Sequence, residues 1–351
     1  MQNDTYIDDY ISPAELTWYA REVPQPANLI LDQFLGNQPI NHLEAEIGEI
    51  RKTNRAARFR SWDTPVGIGK RDTFESHKVK IPPLGQKLPV GEYEMLQLAL
   101  ARTGGNDRAA MIEAIYDDTD NNVRSIYNRI EIARGDVLMD GKFTLADEDG
   151  LTLEADFGLP TDNNVTPTTL WNDADDSTPL TNLRAWMLYY AQLNGTRPGY
   201  MLCGEAVISA LETSEEVRQA ISYGGSILKP FVTDAELAGI FATNRFPTIV
   251  PYDTVIDWNG TNKRVIDENK VIFLPPNPSD LGFCAWGITA EALALMGSNN
   301  PQLTFQQAPG IVAVTTREGD PPRVWTKAGA TAMPLIKDIR KLMVATVLPA
   351  S

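Results

Sequence analysis

Few residues in this chain have the spacing that a catalytic or metal site requires. The two histidines, His42 and His77, stand outside any HExxH pattern, and no serine lies in a GxSxG motif. Cys203 and Cys284 are far apart and form no CxxC pair, so we expect two buried thiols rather than a disulfide or a metal site. The sequence therefore predicts no catalytic residue, no metal and no cofactor.

A short glycine-rich segment is the nearest approach to a nucleotide-binding motif. Gly67-Ile68-Gly69-Lys70 resembles part of a phosphate loop. A Walker motif, however, needs glycine where Thr64 stands, and a dinucleotide fingerprint needs it where Asp72 stands. We therefore expect a flexible glycine turn.

Three clusters of acidic residues could in principle hold a divalent cation or act as a catalytic pair. None has the calcium-loop pattern with glutamate at its twelfth position, so solvated faces and turns are the expected role. The clusters are Asp117-Asp118-Asp120, Asp147-Glu148-Asp149 and Asp173-Asp175-Asp176.

Charge is distributed unevenly along the chain. The net charge of -15 predicts that the whole protein repels nucleic acid and anionic membranes. Residues 1–50 nevertheless carry nine acids and one base, whereas residues 51–90 carry ten bases and three acids. One basic segment thus follows an acidic one.

The length of 351 residues exceeds what one core usually supports, which predicts more than one packed unit. Hydrophobic residues at 43% and charged residues at 22% are typical of globular proteins. No apolar window approaches the roughly 18 residues of a membrane span, and the acidic first residues do not resemble a signal peptide. We expect no membrane association and a cytosol-like compartment.

The first half of the chain predicts three extended or elongated elements. Residues 1–50 contain four prolines and only short apolar pieces, which favours an extended arm. From Arg51 to Leu88, basic residues alternate with aromatic ones around two glycines, which indicates a long two-stranded hairpin that needs a partner surface. From Asn106 to Asp140 the apolar period predicts one long helix, and a hairpin follows over 142–157.

The second half predicts a mixed lobe after a polar linker, Pro160–Pro179, that contains Trp171. The predicted helices are Leu183–Leu193, Glu205–Leu211, Glu215–Ile221 and Asp234–Phe241. The predicted strands are Tyr200–Cys203, Thr248–Pro251, Val271–Leu274, Phe283–Ile288, Ile311–Thr316, Ala332–Leu335 and Leu342–Val347, with a turn at Asn259-Gly260.

This order of parts resembles the lambda-like tailed-phage major capsid protein family. The resemblance rests on the ordered series as a whole, which spans nearly the entire chain. The residues that carry it are Val137-Leu138-Met139-Asp140-Gly141-Lys142-Phe143-Thr144, Asp156-Phe157-Gly158, Tyr200-Met201-Leu202-Cys203-Gly204 and Pro322-Arg323-Val324-Trp325.

The resemblance implies the Hong Kong 97-type capsid fold, an α+β fold. Its implied parts are an N-terminal arm at 1–50, an extended E-loop at 51–88, a peripheral domain with a long spine helix at 89–160, an axial domain at 161–319, and C-terminal strands at 320–351 that return to the peripheral domain.

The resemblance also implies a function as the major capsid protein of a tailed double-stranded DNA phage. Such a protein is not an enzyme. It assembles with itself into pentamers and hexamers of an icosahedral shell in the host cytoplasm and remains in the virion. The expected partners are a scaffolding protein, a portal protein, a decoration protein and packaged DNA bound without sequence specificity.

The basic E-loop supplies the candidate site residues. Because the acidic arm and the basic E-loop carry opposite charge, we expect E-loop residues to contact neighbouring subunits. The residues expected there are Arg55, Arg58, Arg60, Lys70 and Arg71. A solvated loop and a DNA-binding patch are the alternatives.

Three other functions stay open from the sequence. An encapsulin-like nanocompartment shell shares the fold but encloses cargo enzymes. A cytosolic α/β enzyme without a recognisable motif is the second, since fold does not fix function. A tail-tube or adhesive protein is the third, although the long helix argues against it.

Overall fold

The computed structural model of the protein describes residues 11–40, 44–50, 74–100, 107–148, 150–222, 228–297, 308–319 and 322–350. The helices are α1 (Pro13–Glu22), α2 (Glu92–Leu100), α3 (Asp107–Asp140), α4 (Pro179–Asn194), α5 (Glu205–Thr213), α6 (Glu215–Ile221), α7 (Asp234–Asn244) and α8 (Ala290–Gly297). Short 3-10 turns lie at Leu31–Gln33, Thr161–Asn163, Pro278–Asp280 and Ile339–Lys341.

The strands connect these helices into a mixed α and β architecture. They are β1 (Asn37–Pro39), β2 (Glu44–Ile50), β3 (Phe74–Lys80), β4 (Pro83–Val90), β5 (Lys142–Glu148), β6 (Leu151–Asp156), β7 (Asn164–Val165), β8 (Tyr200–Cys203), β9 (Thr248–Pro251), β10 (Val255–Trp258), β11 (Thr261–Arg264), β12 (Lys270–Leu274), β13 (Gly282–Trp286), β14 (Val312–Gly319), β15 (Pro322–Ile336) and β16 (Met343–Thr346).

Helix α3 is the longest element, with 34 residues and a length of about 51 Å. Its buried apolar side chains include Ile115, Val123, Ile126 and Ile130, and this spacing keeps one face towards the interior. The helix ends where Gly141 adopts a left-handed φ of 73°, a conformation that glycine reaches without steric cost. The predicted long helix is confirmed.

The chain forms two compact units. The first contains Met1–Ala45, Lys80–Arg134 and Phe283–Pro334, and the second contains Glu46–Val79, Gly135–Gly282 and Leu335–Ser351. Helix α3 therefore contributes its residues through Arg134 to the first unit and its last turns to the second.

The sheet of the first unit is built around β15. β4 and β14 each pair antiparallel with its first part, while β1 runs parallel to β13 farther along the sheet. Helix α1 packs against β14 and buries Leu16 and Ala20. Ser12 caps this helix by accepting a hydrogen bond from the Glu15 N–H at 3.2 Å.

Two outer strands of this sheet, β14 and β4, carry features that discourage edge pairing. Beside β14, Thr17 Oγ1 donates to the Ala313 carbonyl at 2.8 Å and accepts from its N–H at 3.3 Å. Arg21 Nε donates to the Ile311 carbonyl at 3.2 Å. On the other side, β4 contains Pro83 and Pro89, which have no N–H to donate. A further strand therefore finds fewer free pairing groups along β14 and β4.

The second unit packs helices against a five-stranded sheet with the order β7-β16-β12-β8-β9. Phe273 on β12 is fully buried and meets the ring of Trp186 on α4 at 6.0 Å. Trp171 is also fully buried and stacks on Trp186 with a centroid distance of 5.9 Å. The aromatic cluster thus joins α4, the sheet and the segment before α4.

A buried polar network joins the N-terminal segment of the first unit to α3. Arg134 and Glu131 form an ion pair of 3.1 Å, and neither side chain is more than 1% exposed. Arg134 also donates to Asn37 Oδ1 at 2.7 Å, and the indole of Trp286 donates to the same oxygen at 2.8 Å. Glu131 accepts the Leu31 N–H at 2.9 Å. The paired charges and their hydrogen bonds offset the cost of burial.

Two expectations for the first ninety residues differ from the structure. The predicted extended arm contains helix α1. The helix was not predicted because the prolines that flank it favoured an extended segment. The predicted hairpin over 51–88 includes β4, which belongs to the sheet of the first unit. In this region the structure pairs β2 with β3 as a two-stranded ladder. Residues 51–73, between these two strands, lie outside the described residues.

Two later expectations also differ. The predicted linker at 160–179 lies inside the second unit, because Trp171 is a core residue and not a solvated one. The two terminal strands do not share one sheet. β15 lies in the sheet of the first unit, whereas β16, with Met343, Val344 and Ala345 all buried, is an inner strand of the second.

We predict that Arg134→Met destabilises the protein by about 3–5 kcal/mol, because it leaves Glu131 buried without its cation. Arg124→Met is the matched control, since Arg124 lies on the same helix with an exposed side chain and should change stability by less than about 0.5 kcal/mol. Urea unfolding followed by circular dichroism measures both. Equal stability of the two variants would contradict a structural role for the pair.

Candidate functional site

Many of the residues selected from the sequence for possible chemistry lie outside the part of the chain that the structure describes. The candidate contact residues Arg55, Arg58, Arg60, Lys70 and Arg71, together with His42 and the glycine turn, lie outside the described residues. His77 lies on β3. Their predicted roles therefore stay predictions.

Of the three acidic clusters, the one at 173–176 forms a local turn, and Asp149 of the cluster at 147–149 lies outside the described residues. The Asp173 carboxylate accepts the N–H groups of Asp175 and Asp176 at 3.2 and 3.1 Å, which closes a turn. Asp118 lies on α3, where burial raises the pKa of its carboxyl and the charges of Glu94 and Asp117 raise it further. Among the described residues, no group of three or more acidic, histidine or cysteine side chains is arranged to hold a metal ion.

Both cysteines are buried thiols, as predicted. Burial raises the pKa of Cys203 to about 12, and the charges of Asp253 and Glu205 add to the effect. Burial also raises the pKa of Cys284 to about 11. Neither thiol forms the thiolate that nucleophilic or redox chemistry requires near neutral pH.

A groove of about 940 Å³ lies across β4, β15 and β14 in the first unit, with α8 along its side. We call it the Lys87 groove. Strand register sets Gly85 opposite Gly329, so the groove floor lacks side chains at this row. A side chain at Gly85 would bring its Cβ within 2.7 Å of the Ala328 carbonyl oxygen, and the floor at this point therefore requires glycine.

The next row of the groove sets two cations side by side. Lys87 lies opposite Lys327, and like charges in this position are unfavourable. Lys327 bonds to Glu291 on α8 at 2.6 Å. Burial alone would raise the pKa of Glu291, but the hydrogen bond from Lys327 brings it below its ordinary value. The Lys87 ammonium lies 4.4 Å from the ring centroid of Trp325.

Trp325 is itself held in place, since its indole N–H donates to Glu318 at 2.9 Å. The Lys87 groove therefore presents an oriented aromatic ring and a cation. Such an arrangement is suited to docking a charged partner. The sequence alone did not reveal it, because the pairing of Lys87 with Lys327 depends on strand register.

In the second unit, a short segment before α7 exposes apolar side chains on a rigid support. Phe231 is 58% exposed, although the adjacent Val232 is fully buried and donates its N–H to the Glu212 carbonyl at 3.0 Å. Thr233 and Glu236 form a capping box, and Lys229 forms an ion pair with Glu236. An aromatic side chain held in this way is typical of an anchor for a protein contact.

We predict that the native protein does not react with a thiol-specific disulfide reagent at pH 8, because a pKa of about 11 or 12 leaves about one thiolate in a thousand or fewer. In guanidinium chloride, both thiols should react. Absorbance of the released thiolate measures this, and the denatured sample is the control. A fast native reaction of either cysteine would contradict the described burial.

Comparison with known proteins gives the family. The family model described as phage major capsid protein E matches residues 12–347. No curated protein sequence matches the chain. The chain is similar to the crystal structure of a prophage protein of E. coli CFT073 that is described as a capsid protein, with a TM-score of 0.62, 15% identity, and coverage of 94% of this chain and 95% of that chain.

A second similar structure is a phage-related protein of Bordetella bronchiseptica RB50, with a TM-score of 0.56, 14% identity, and coverage of 96% of this chain and 97% of that chain. At this identity the two structures show the fold alone, and they confirm the predicted Hong Kong 97-type capsid fold. The family match extends over nearly the whole chain. The chain therefore belongs to the phage major capsid protein E family and is a capsid protein of a tailed phage.

Proposed function

We propose that the chain assembles into pentamers and hexamers that close into an icosahedral shell around a double-stranded DNA genome. The match of the capsid family over residues 12–347 carries this proposal. Rigidly held exposed side chains such as Phe231 support it, because a subunit surrounded by copies of itself needs several contact surfaces.

We propose that the first unit is the peripheral domain and the second unit the axial domain of this subunit. Helix α3 is then the spine helix, and β2, β3 and the segment between them form the E-loop. This division follows the two compact units, so it places the C-terminal strand β16 with the axial domain.

The basic E-loop segment is proposed to contact neighbouring subunits. Its candidate residues are Arg55, Arg58, Arg60, Lys70 and Arg71. Charge supports the assignment, since residues 51–90 have seven more bases than acids and residues 1–50 have eight more acids than bases. Each exposed pair contributes only about 0–1 kcal/mol, but a shell repeats the contact in every subunit.

The proposed partners follow from the role of the subunit. A scaffolding protein guides assembly in the host cytoplasm, a portal protein occupies a vertex, a decoration protein binds the finished shell, and the protein remains in the virion. The net charge of -15 supports contact with packaged DNA without sequence-specific binding, because an attractive lining would retard DNA movement. In the part of the chain that the structure describes, no helix could span a membrane.

We propose that the protein is structural rather than enzymatic and uses no cofactor. A family of capsid proteins supports this role. The same match favours a phage capsid over an encapsulin-like nanocompartment, a tail protein or an α/β enzyme.

We predict that the purified protein, alone or co-expressed with its neighbouring genes, forms closed shells or rings of five and six subunits. Repeated self-contacts in a closed symmetry give this result. Negative-stain electron microscopy with light scattering measures it. A compact monomer or dimer under both conditions would refute the proposed assembly.

We predict that replacing Arg55, Arg58, Arg60, Lys70 and Arg71 together with glutamine leaves folded subunits that no longer close into shells, because the E-loop loses its positive charge. Circular dichroism reports folding, and electron microscopy reports closure. The control is Arg124→Gln with Lys263→Gln, two exposed cations outside the E-loop. If the five-site variant formed normal shells, these residues would not be required for the subunit contact.

A further inference from the structure

We propose that the Lys87 groove receives a carboxylate-bearing segment of a second copy of the chain, with Lys87 as its ion-pair partner. This inference rests on the proposed function, because the groove contacts a second copy only when the chain assembles into a shell. It adds a receiving surface on the first unit to the E-loop contact.

The groove has the form of a binding trench. Gly85 and Gly329 leave a bare floor across two strands, while α8 packs through Ala292 and Leu295 on Val314 and forms one wall. A volume of about 940 Å³ is sufficient for several side chains of an extended segment.

The electrostatics of the groove favour an acidic occupant. Of its two opposed lysines, Lys327 already has Glu291 as a partner at 2.6 Å. Lys87 has no carboxylate partner within the described ranges of the chain, and it is exposed. Trp325 holds the Lys87 ammonium near the floor, so a carboxylate would meet an oriented cation with little loss of side-chain entropy. It would also relieve the repulsion between the two lysines.

The surrounding sheet directs a partner to this face. At the β14 edge, Thr17 and Arg21 occupy backbone groups of Ala313 and Ile311, and at the β4 edge Pro83 and Pro89 lack donors. Addition of a strand at either edge is therefore disfavoured, whereas the groove face is open.

A second copy is the occupant that the charges fit. The chain carries 46 acidic and 31 basic residues, so most of its surface segments can offer a carboxylate. The segment 51–73 of a neighbour, with seven basic and two acidic residues, would meet like charge at Lys87 and is disfavoured as the occupant. The E-loop of a neighbour and the acidic occupant of this groove are thus different segments.

Cross-linking of assembled wild-type shells tests the proposal. Shells are formed from an equal mixture of ¹⁴N and ¹⁵N protein and treated with a water-soluble carbodiimide, which joins an amine to a carboxylate in direct contact as an amide, with transfer of water to the reagent. We expect a Lys87 peptide joined to an Asp or Glu peptide, with mixed-isotope products that show two copies. The proposal would be overturned if Lys87 were cross-linked only within one copy, only to another protein, or not at all.

A charge series at Lys87 tests the energy of the contact. Lys87→Glu should raise the subunit concentration required for assembly by about tenfold or more, whereas Lys87→Arg keeps both the charge and the contact with Trp325 and should assemble like the wild type. Thermal unfolding of the free subunits reports folding. Unchanged assembly of the Lys87→Glu variant would refute the proposed contact in the groove but not the proposed shell. Failure of the wild-type protein to assemble would refute the proposed function itself.

Discussion

The buried pair of Arg134 and Glu131 constrains the whole first unit. Two buried charges need hydrogen bonds from their surroundings, and the N-terminal segment supplies one to each of them. Leu31 and Asn37 come from the N-terminal segment, and Trp286 from β13 reaches the same amide oxygen as Arg134. The N-terminal segment is consequently part of the packed interior around α3, and it is more than a flexible extension. In the proposed shell, Leu31 and Asn37 are thus held against α3 within each subunit.

The surface of the first unit hinders strand addition at two edges of its sheet and leaves other surfaces exposed. A sheet with open edges invites uncontrolled strand addition, which would compete with a closed lattice. Side chains of α1 occupy the β14 edge and prolines blunt the β4 edge, so the faces and exposed helices remain for specific contacts. In the second unit, a capping box and an ion pair hold the segment that exposes Phe231. These features of the two units suit the self-association proposed for a member of the capsid family.

Local patterns allowed much of the fold to be predicted. The helical period over residues 107–140 and short apolar runs such as 200–203 and 248–251 correspond to observed elements, because a single element determines each pattern. Helix α1 was missed because prolines surround it, and Trp171 was misplaced because its polar neighbours concealed a core position. The Lys87 groove could not be predicted, since residues 87 and 327 become neighbours only through strand register. The candidate residues between 51 and 73 lie outside the described residues, so their assignment rests on charge.

The burial of both cysteines has a consequence for a particle made of many identical subunits. A virion leaves a reducing cell for an oxidising medium, and every exposed thiol would be repeated in each copy of the lattice. Random disulfides between neighbours would then freeze some contacts and distort others. With Cys203 and Cys284 enclosed, neither thiol of this subunit is exposed for such a bond. Oxidation outside the cell would thus form no disulfide bond between subunits through these two cysteines.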